Sequence, residues 1–512
     1  MRLFPRACVA SPHYLASCTG AAVLAGGGNA MDAAVATNLV LGVVTPYMCG
    51  YGGDLFAMVW DGELHGYNGS GRAPGAATVE AVRSAAGGPS LPRFGPLTVT
   101  VPGAVEAWFT LLERFGTMPF TELSETALHY AREGFPLTET AAAYIAASAS
   151  AYQQGWAQAW REIYTRGGTR LVQPGLARTI EALRTEGPRA YYEGEIAAAI
   201  ERTLRQHGGL MSADDLADHR GEWVRPLRTS YRGAEVFQLP PNSQGVAALE
   251  ALNIIEEADI GPPGSGSREH VLIEATKLAL VDRDAHITDI EHMSIDPAQL
   301  ASKPWARRRR TDLDRERASA PRPGVPAAGG TIYLCAADGD GLLVSLIQSN
   351  YVGFGSGVTV DGWGINLQNR GSYFSLDPGH VNVIAPRKRT MHTLMPAMAF
   401  RDGRPWLVFG TMGGDGQAQT HVQFLTRVID EGSDIQAAID APRWVVSPSH
   451  WSVSIEARRE EAVVRALASR GHRITRLGGY ETLMGHAHAI EVLEDGYAAA
   501  TDPRAEGAAT GI

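Results

Sequence analysis

The sequence predicts a layered α/β protein with strands in the middle and helices covering them. Three observations carry this prediction: apolar helical segments fill much of the first 206 residues, strand patterns dominate after residue 331, and Asp-Gly turns at 338–341, 402–403 and 495–496 join several of these strands. Because a fully apolar helix is stable only when it is covered on both sides, a layered arrangement follows. We find no internal repeat of 20–50 residues.

The first elements are two helices and a hairpin. Pro12 opens the first helix and the glycines at 26–28 close it. Asn29 is placed to cap the second helix, "AMDAAVATNLVLGVV", whose apolar character predicts a buried position. The segment "LFAMVW-DG-ELHGY" predicts a hairpin that turns at Asp61-Gly62.

Helices and strands then follow in a mixed order. Helices are expected at 102–116, 195–209, 245–255 and 269–287, and later around 416–431 and 458–470. Strands are expected at 331–337, 343–349, 395–401, 405–410, 451–456, 486–492 and 496–501.

Composition narrows the classes of function. The 512 residues are 45% hydrophobic and 20% charged, as in an ordinary globular enzyme, and the formal net charge of −10 disfavours nucleic acid and anionic membranes as partners. The basic run at 307–310 lies beside acidic residues, which indicates a solvated helix end. The first residues show neither a signal peptide nor a membrane span, so we expect a cytoplasmic protein with reduced cysteines.

Thr331 stands where an unstructured-looking tether, about 311–330, gives way to a strand pattern. An interior threonine hydroxyl is a poor nucleophile, but a cut before Thr331 would create an α-amine with a pKa of roughly 7.7–8.0 next to its own hydroxyl. Gly330 has no Cβ to obstruct attack on its carbonyl. From the local sequence alone, the alternative that Thr331 merely begins a strand remains open.

Several segments together resemble the γ-glutamyltransferase family of N-terminal-nucleophile hydrolases. They are "GNAMDAAVATNLVLGVVTPYMCGYGGDLFAMVWDG", "VPGAVEAW", "NYVGFGSGV", "GTMGG" and "DPRAEGAA". The resemblance runs from about Ser11 to the last few residues and places Thr331 on the family's catalytic threonine. It implies a four-layer αββα fold and self-cleavage into residues 1–330 and 331–512. It further implies that the two fragments form one composite domain and an αβ heterodimer, and it leaves open whether heterodimers pair further.

The resemblance also implies further site residues. Gly413 and Gly414 lie between a predicted strand and a helix, where free N–H groups and the helix N-terminus can stabilise an oxyanion. Asn350 matches the family's substrate-contacting asparagine, although an asparagine that satisfies a turn remains the alternative. Ser349 or Gln348 is placed to orient the threonine.

The chain departs from the family pattern where a γ-glutamyl donor would be held. Arg370 stands at a Gln/Glu position, and Tyr373 replaces the aspartate that receives the substrate ammonium. A cation at this place disfavours an ammonium ligand. A Ser-Ser pair is replaced by His392-Thr393, and the family's arginine is displaced by two residues to Arg72. The pattern looks more like the branch that includes oxamate amidohydrolase and related acylases, and Arg370 and His392 are placed to face an anionic or polar acyl group.

No metal or cofactor is expected. His486 and His488 alternate onto one face of a predicted strand, but the sequence suggests no third ligand beside them. The acids at 282–289 scatter around a helix, which indicates a solvated face.

The leading hypothesis is a self-processing amidohydrolase or acyltransferase that acts on a small amide through an acyl-enzyme, with water or an amine as acceptor. One alternative is a true γ-glutamyltransferase or γ-glutamyl hydrolase with altered donor contacts. The other, from a different class, is an uncleaved, non-catalytic binding relative.

Overall fold

Two antiparallel sheets face each other at the centre of the computed structural model, which describes residues 1–320 and 330–512. The part of the predicted tether at 321–329 lies outside the described residues. In chain order the strands are β1 Arg2–Phe4, β2 Cys8–Ser11, β3 Asp54–Trp60, β4 Leu64–Gly69, β5 Phe135–Pro136, β6 Arg170–Leu171, β7 Glu222–Val224, β8 Leu227–Tyr231, β9 Ala234–Gln238, β10 Gly330–Ala337, β11 Leu343–Tyr351, β12 Ala397–Arg401, β13 Arg404–Thr411, β14 Trp444–Val446, β15 Val453–Glu456, β16 Ile474–Leu477, β17 Ala487–Leu493, β18 Gly496–Thr501 and β19 Ala508–Gly511.

The helices precede, separate and follow these strands. They are α1 Tyr14–Ala25, α2 Ala30–Val44, α3 Val79–Ala86, α4 Ala104–Phe115, α5 Phe120–Leu123, α6 Glu125–Glu133, α7 Glu139–Ala151, α8 Gln158–Tyr164, α9 Pro174–Glu186, α10 Arg189–Tyr192, α11 Glu195–Gln206, α12 Ala213–Ala217, α13 Gly245–Glu256, α14 Gly266–His286, α15 Pro297–Leu300, α16 Lys303–Arg310, α17 Gly416–Asp430, α18 Ile435–Asp440 and α19 Glu461–Ser469. Short 3₁₀ turns add Pro96–Thr98, Gly155–Ala157, Ile290–His292, Arg370–Tyr373 and Thr482–Met484.

Both central sheets contain strands from before and after the tether. The described strands of one sheet run in the order β1-β18-β17-β13-β12-β9-β8, and those of the other in the order β19-β2-β10-β11-β3-β4-β7. All neighbours within these two sheets are antiparallel. The segments on either side of residue 331 therefore share one core.

Alternation along β10 shows how the layers form. Ile332 and Leu334 are buried against the helical layer that contains α2 and α4. Tyr333 and Cys335 point the other way, into the apolar layer between the two sheets. Successive side chains of a strand point to opposite faces, so a strand buried on both faces reads as a continuous apolar run.

The facing sheet repeats this arrangement with a different helical layer. Met398 and Val408 point into the space between the sheets. Ala399 and Phe409 pack against the layer built by α13, α14 and α17. The predicted four-layer αββα fold is confirmed.

The cap of α2 is also confirmed. The side chain of Asn29 accepts hydrogen bonds from the N–H groups of Met31 and Asp32 at 2.9 and 3.0 Å, and the Asp32 carboxylate accepts the Asn29 N–H at 2.9 Å. This reciprocal pair satisfies the free amide groups of the first turn. All residues of α2 are buried, as its apolar sequence requires.

Some short strands of the central sheets have no recognisable pattern in the sequence. β2 and β19 pair with each other, and β2 also pairs with β10, so both belong to the sheet that carries Thr331. Segments of four residues give too few alternations to reveal a strand. No helix among the described residues is long and apolar enough to cross a membrane.

Candidate active site

Thr331 lies at the beginning of β10, between β2 and β11, and is fully buried. Its hydroxyl donates to the Ser349 hydroxyl, with 3.1 Å between the two oxygens. Ser349 Oγ also accepts the N–H of Tyr351 at 2.7 Å, which fixes its position. Gly330 pairs with Tyr351 across the strands, and the register shifts between Gly330 and Ile332. The predicted cleavage site therefore coincides with an irregularity in an otherwise regular strand pair.

The Gly413-Gly414 turn connects β13 to α17. The φ angles of Gly413 and Gly414 are 135° and 56°, in the region that favours glycine. The Tyr333 ring lies against the backbone of Gly410, where a Cβ would approach it to 2.4 Å, so the beginning of β10 and the end of β13 meet. Neither Gly413 nor Gly414 donates its N–H to another described residue. Within the described part of the chain these two N–H groups therefore have no backbone acceptor, and they follow the strand that meets β10.

Gln244, which the sequence analysis missed, holds this turn in place. Its Nε2 donates to the carbonyl oxygens of Gly414 and Thr393 at 3.0 and 2.9 Å. Its Oε1 accepts Arg283 Nη1 at 2.7 Å. No motif marks this glutamine, because its role arises from contacts with residues more than 140 positions later in the chain.

Asn350 is buried beside Ser349. Its backbone N–H donates to the Met48 carbonyl at 3.0 Å, and its Nδ2 lies 3.5 Å from the Pro46 carbonyl oxygen. Its Oδ1 has no hydrogen-bond partner among the described residues. The side chain thus presents a free buried acceptor and is not consumed by a turn.

Arg370 is buried, with 1% of its surface exposed. Its Nη1 donates to Thr393 Oγ1 at 3.1 Å, and its guanidinium carbon lies 4.0 Å from the centre of the Tyr351 ring. Within the described residues, its Nε and Nη2 have no hydrogen-bond partner. Burial lowers the pKa of Arg370, and Tyr351 and Asp54 oppose that shift. Arg370 and Thr393, which both stand at positions where the family holds its donor, are therefore in direct contact.

His392 is bonded to Asp54, with Nε2 and Oδ2 3.1 Å apart. Because its Nδ1 accepts the N–H of Leu394 at 3.3 Å, we assign the proton to Nε2, which donates to the carboxylate. Burial first, and then Arg370, lower the pKa of His392 well below its usual value. Burial raises the pKa of Asp54 to about 7, although Arg370 opposes the shift. His392 is therefore a neutral donor to Asp54, and the sequence gave no sign of this partner.

Tyr373 is half-buried, and its hydroxyl donates to Asp415 Oδ1 at 2.8 Å. The same oxygen accepts Arg283 Nη1 at 2.6 Å. Burial, followed by the nearby Asp415, raises the pKa of Tyr373 well above its usual value. The carboxylate beside Tyr373 is thus already used by protein donors.

Arg72 lies in a different set of contacts. It forms ion pairs with Glu222 at 2.9 Å and Asp289 at 3.2 Å, and it donates to the carbonyl oxygen of Arg387 at 3.1 Å. No contact in the described ranges joins it to Thr331 or Arg370. A role for Arg72 in substrate binding stays a prediction without support from the geometry.

A cavity of about 1290 Å³ opens beside the site. Its lining includes Tyr351, Tyr373, Gly413 and Asp415. Tyr351 therefore contacts both this cavity and the Arg370 side chain. Its backbone φ of 77° is unusual for a residue with a bulky side chain.

One group of potential metal ligands occurs among the described residues: His270, Glu274 and His472. Hydrogen bonds and an ion pair explain why these three side chains lie together. His270 Nε2 lies 2.8 Å from the Asp314 carbonyl oxygen, so His270 Nδ1 is the acceptor for His472 Nε2 at 2.8 Å. Lys277 Nζ lies 2.7 Å from Glu274 Oε1 and supplies the positive charge that this carboxylate needs.

The histidine pair identified in the sequence lies elsewhere. His486 and His488 are buried, and His488 Nδ1 is 3.0 Å from the Thr501 hydroxyl oxygen. Burial lowers the pKa values of both histidines, to about 4 for His486 and about 3 for His488. Both are neutral core residues at ordinary pH.

Comparison with known proteins places this geometry in a family. The γ-glutamyltranspeptidase family model matches residues 16–512. The chain is similar to the glutathione hydrolase-like YwrD proenzyme of Bacillus subtilis, with 40% identity over 98% of each chain. It is also similar to the oxamate amidohydrolase proenzyme of Klebsiella pneumoniae, with 36% identity over 98% of this chain and 97% of that one.

A solved structure agrees with these sequence relatives. The cephalosporin acylase from Bacillus halodurans superimposes with a TM-score of 0.94 at 39% identity, and the match covers 100% of this chain and 97% of that one. The chain belongs to the γ-glutamyltranspeptidase family and is an enzyme of the N-terminal-nucleophile type.

Proposed function

We propose that this enzyme cuts its own chain between Gly330 and Thr331 and then hydrolyses a small amide with Thr331 as nucleophile. The observation that carries the proposal is the Thr331 hydroxyl, which is buried and donates to Ser349 at the beginning of β10. The contact between the Tyr333 ring and Gly410 supports a role for the Gly413-Gly414 turn, which follows Gly410 on the neighbouring strand β13. The relatives named above as proenzymes support a cut chain.

Self-cleavage begins with two groups of β10, the Thr331 hydroxyl and the Gly330 carbonyl. The Thr331 hydroxyl oxygen adds to the Gly330 carbonyl carbon, and the C–N bond breaks as an ester forms, with the proton passing to the Thr331 nitrogen. Water then hydrolyses the ester, leaving a carboxylate on Gly330 and a free α-amine on Thr331. Ser349 is a positioning residue in this step, because its hydroxyl oxygen accepts a hydrogen bond from the Thr331 hydroxyl and so orients the Thr331 oxygen.

Turnover uses the new α-amine as the base. It takes the proton of the Thr331 hydroxyl as the oxygen attacks the substrate amide, and it returns that proton to the departing amine. The Gly413 and Gly414 N–H groups stabilise the oxyanion, with Gln244 holding their turn. Water, or an amine in a transfer reaction, then releases the acyl group from Thr331.

The two fragments, 1–330 and 331–512, remain together as a heterodimer in this proposal. Both central sheets contain strands from each fragment, so separation would expose the apolar layer between the sheets.

Replacement of Thr331 tests the proposal. Thr331→Ala is expected to stay uncut and to lose amide hydrolysis by a factor on the order of 10⁴ or more, because the nucleophile is gone. Thr331→Ser keeps the hydroxyl and should cut itself, at a comparable or lower rate. Thr426→Ala is the matched control: Thr426 is also buried, but its hydroxyl donates to the Val422 carbonyl inside α17. Amidase activity in an uncut Thr331→Ala variant would contradict the mechanism.

A further inference from the structure

Thr411 and Gly485 both contact the carbonyl oxygen of Met412, the residue that precedes the Gly413-Gly414 turn. The Thr411 hydroxyl donates to this oxygen at 2.8 Å. Gly485 lies so close that a Cβ at its position would be 2.3 Å from the same oxygen and 2.7 Å from Thr411 Oγ1. A hydrogen bond and a close backbone contact therefore hold the same carbonyl group.

The Met412 carbonyl belongs to the same peptide unit as the Gly413 N–H. A peptide unit is planar, and its C=O and N–H point in opposite directions, so the two groups rotate together. Whatever fixes the Met412 oxygen therefore also fixes the direction of the Gly413 N–H. This N–H has no backbone acceptor in the part of the chain that the structure describes, and it is one of the two donors assigned above to the oxyanion.

The segment that carries Gly485 is itself fixed. The Met412 N–H donates to the His486 carbonyl at 3.1 Å, and Arg443 Nη1 donates to the carbonyl oxygens of Met484 and Gly485 at 3.1 and 3.0 Å. The φ angle of Gly485 is 84°, in the region that favours glycine. Because these bonds restrain the segment, a side chain at position 485 would displace the Met412 carbonyl.

We propose that Thr411 and Gly485 are positioning residues that aim the Gly413 N–H at the oxyanion. The proposal rests on the proposed function, because it concerns the oxyanion donor of that same site. Removal of one oxyanion donor typically lowers kcat by about 10²–10³, and a donor that points away should lose part of this effect. The negative charge develops only in the transition state, so the loss should appear in kcat and not in KM.

Replacement of Thr411 tests the hydrogen bond on the mature, cut enzyme. The probe is p-nitrophenyl acetate, whose acetyl group passes to the Thr331 oxygen as p-nitrophenol leaves, and Thr331→Ala gives the background. Thr411→Val should lower the maximal rate of acylation about tenfold and keep the half-saturating concentration within about twofold. Thr411→Ser keeps the hydroxyl and should restore most of the rate. Thr426→Val is the matched control, because the buried Thr426 hydroxyl donates to a carbonyl inside α17.

Gly485→Ala tests the close contact. It should lower the maximal rate of acylation by about 10- to 100-fold, again with little change in the half-saturating concentration. Gly432→Ala is the matched control: Gly432 has a φ angle of 66°, but no described atom lies within 4 Å of a Cβ built there. An unaltered rate in a folded Gly485→Ala enzyme would overturn the role of Gly485. If Gly485→Ala does not fold, equal rates for Thr411→Val and Thr411→Ser would overturn the proposal.

Phenylboronic acid separates a misdirected donor from a general loss of packing. Its boron forms a bond to the Thr331 oxygen while the α-amine takes the hydroxyl proton, and the tetrahedral adduct carries a negative charge. Thr411→Val and Gly485→Ala should weaken inhibition by about the factor that they remove from the acylation rate. Inhibition equal to that of the unaltered enzyme in both variants would contradict the proposal. An uncut chain, or acylation no faster than in Thr331→Ala, would instead count against the proposed function.

Discussion

Two buried arginine sites in this enzyme differ in how their charges are satisfied. Arg504 donates to both oxygens of Glu456 at 2.6 Å, to Asp502 at 3.0 Å, and to backbone carbonyls. Arg443 donates to Asp502 at 2.6 Å. Arg370, equally buried, has one hydroxyl partner and two nitrogens without any among the described residues.

The difference separates the structural role of Arg443 and Arg504 from the substrate-binding role that the sequence predicts for Arg370. Arg443 also donates to the carbonyl of Gly485. The next residue, His486, accepts the N–H of Met412, which directly precedes the Gly413-Gly414 turn. The network of Arg443, Asp502 and Arg504 therefore helps to hold this turn in place. The charges of Arg443 and Arg504 are compensated by carboxylates of the protein, so neither guanidinium is available to bind a ligand. Arg370 has no ion pair of this kind among the described residues.

Replacement of Arg504 or Arg370 by methionine should give the largest difference in the free energy of unfolding. Arg504→Met leaves Glu456 and Asp502 short of a partner and should lower the free energy of unfolding by about 3–5 kcal/mol. Arg370→Met removes an unpaired buried charge, so its free energy of unfolding should stay the same or rise. Denaturant unfolding measures both. A larger loss of unfolding free energy in Arg370→Met than in Arg504→Met would contradict this difference between the two sites.

A lower pH should weaken the network of Arg443, Asp502 and Arg504. Burial alone would raise the pKa of Asp502, but Arg443 and Arg504 outweigh burial and hold it at about 2. This pKa is depressed in the folded state, so its contribution is fully present above the unfolded value of roughly 3.9 and is lost as pH falls toward 2. We expect a loss of about 2 kcal/mol over that window. Asp502→Asn should show a smaller pH dependence in denaturant unfolding from pH 5 to 2, and an unaltered slope would contradict the assignment.

Much of the fold followed from the sequence, and the reasons are local. Asn29 before an apolar helix, the Asp61-Gly62 turn and the apolar run after Thr331 each specify an element through contacts a few residues apart. β2 and β19 escaped prediction because four residues carry too little pattern, and their strand conformation depends on pairing across more than 490 positions. The helix expected at 458–470 is shorter, Glu461–Ser469.

Candidate site residues could be identified from the sequence only where they lie in a continuous motif. Thr331, Asn350 and the Gly413-Gly414 turn lie in short recognisable segments, whereas the hydrogen bond between Arg370 and Thr393 joins segments 23 residues apart. Gln244, Asp54 and Tyr351 escaped prediction, because their roles arise from contacts between distant segments and from a positive φ angle. His392 was expected to face the substrate, whereas its ring nitrogens are occupied by Asp54 and by the Leu394 N–H.

The central claim is that the active chain begins at Thr331, and N-terminal sequencing of purified protein tests it most directly. In proportion to lengths of 330 and 182 residues, the 54.7 kDa chain should resolve into fragments of about 35 and 19 kDa that co-purify. The smaller fragment should read Thr-Ile-Tyr-Leu. An enzyme that hydrolyses amides as a single uncut chain, or whose smaller fragment begins at another residue, would contradict the account, because Thr331 would then lack the α-amine that serves as its base.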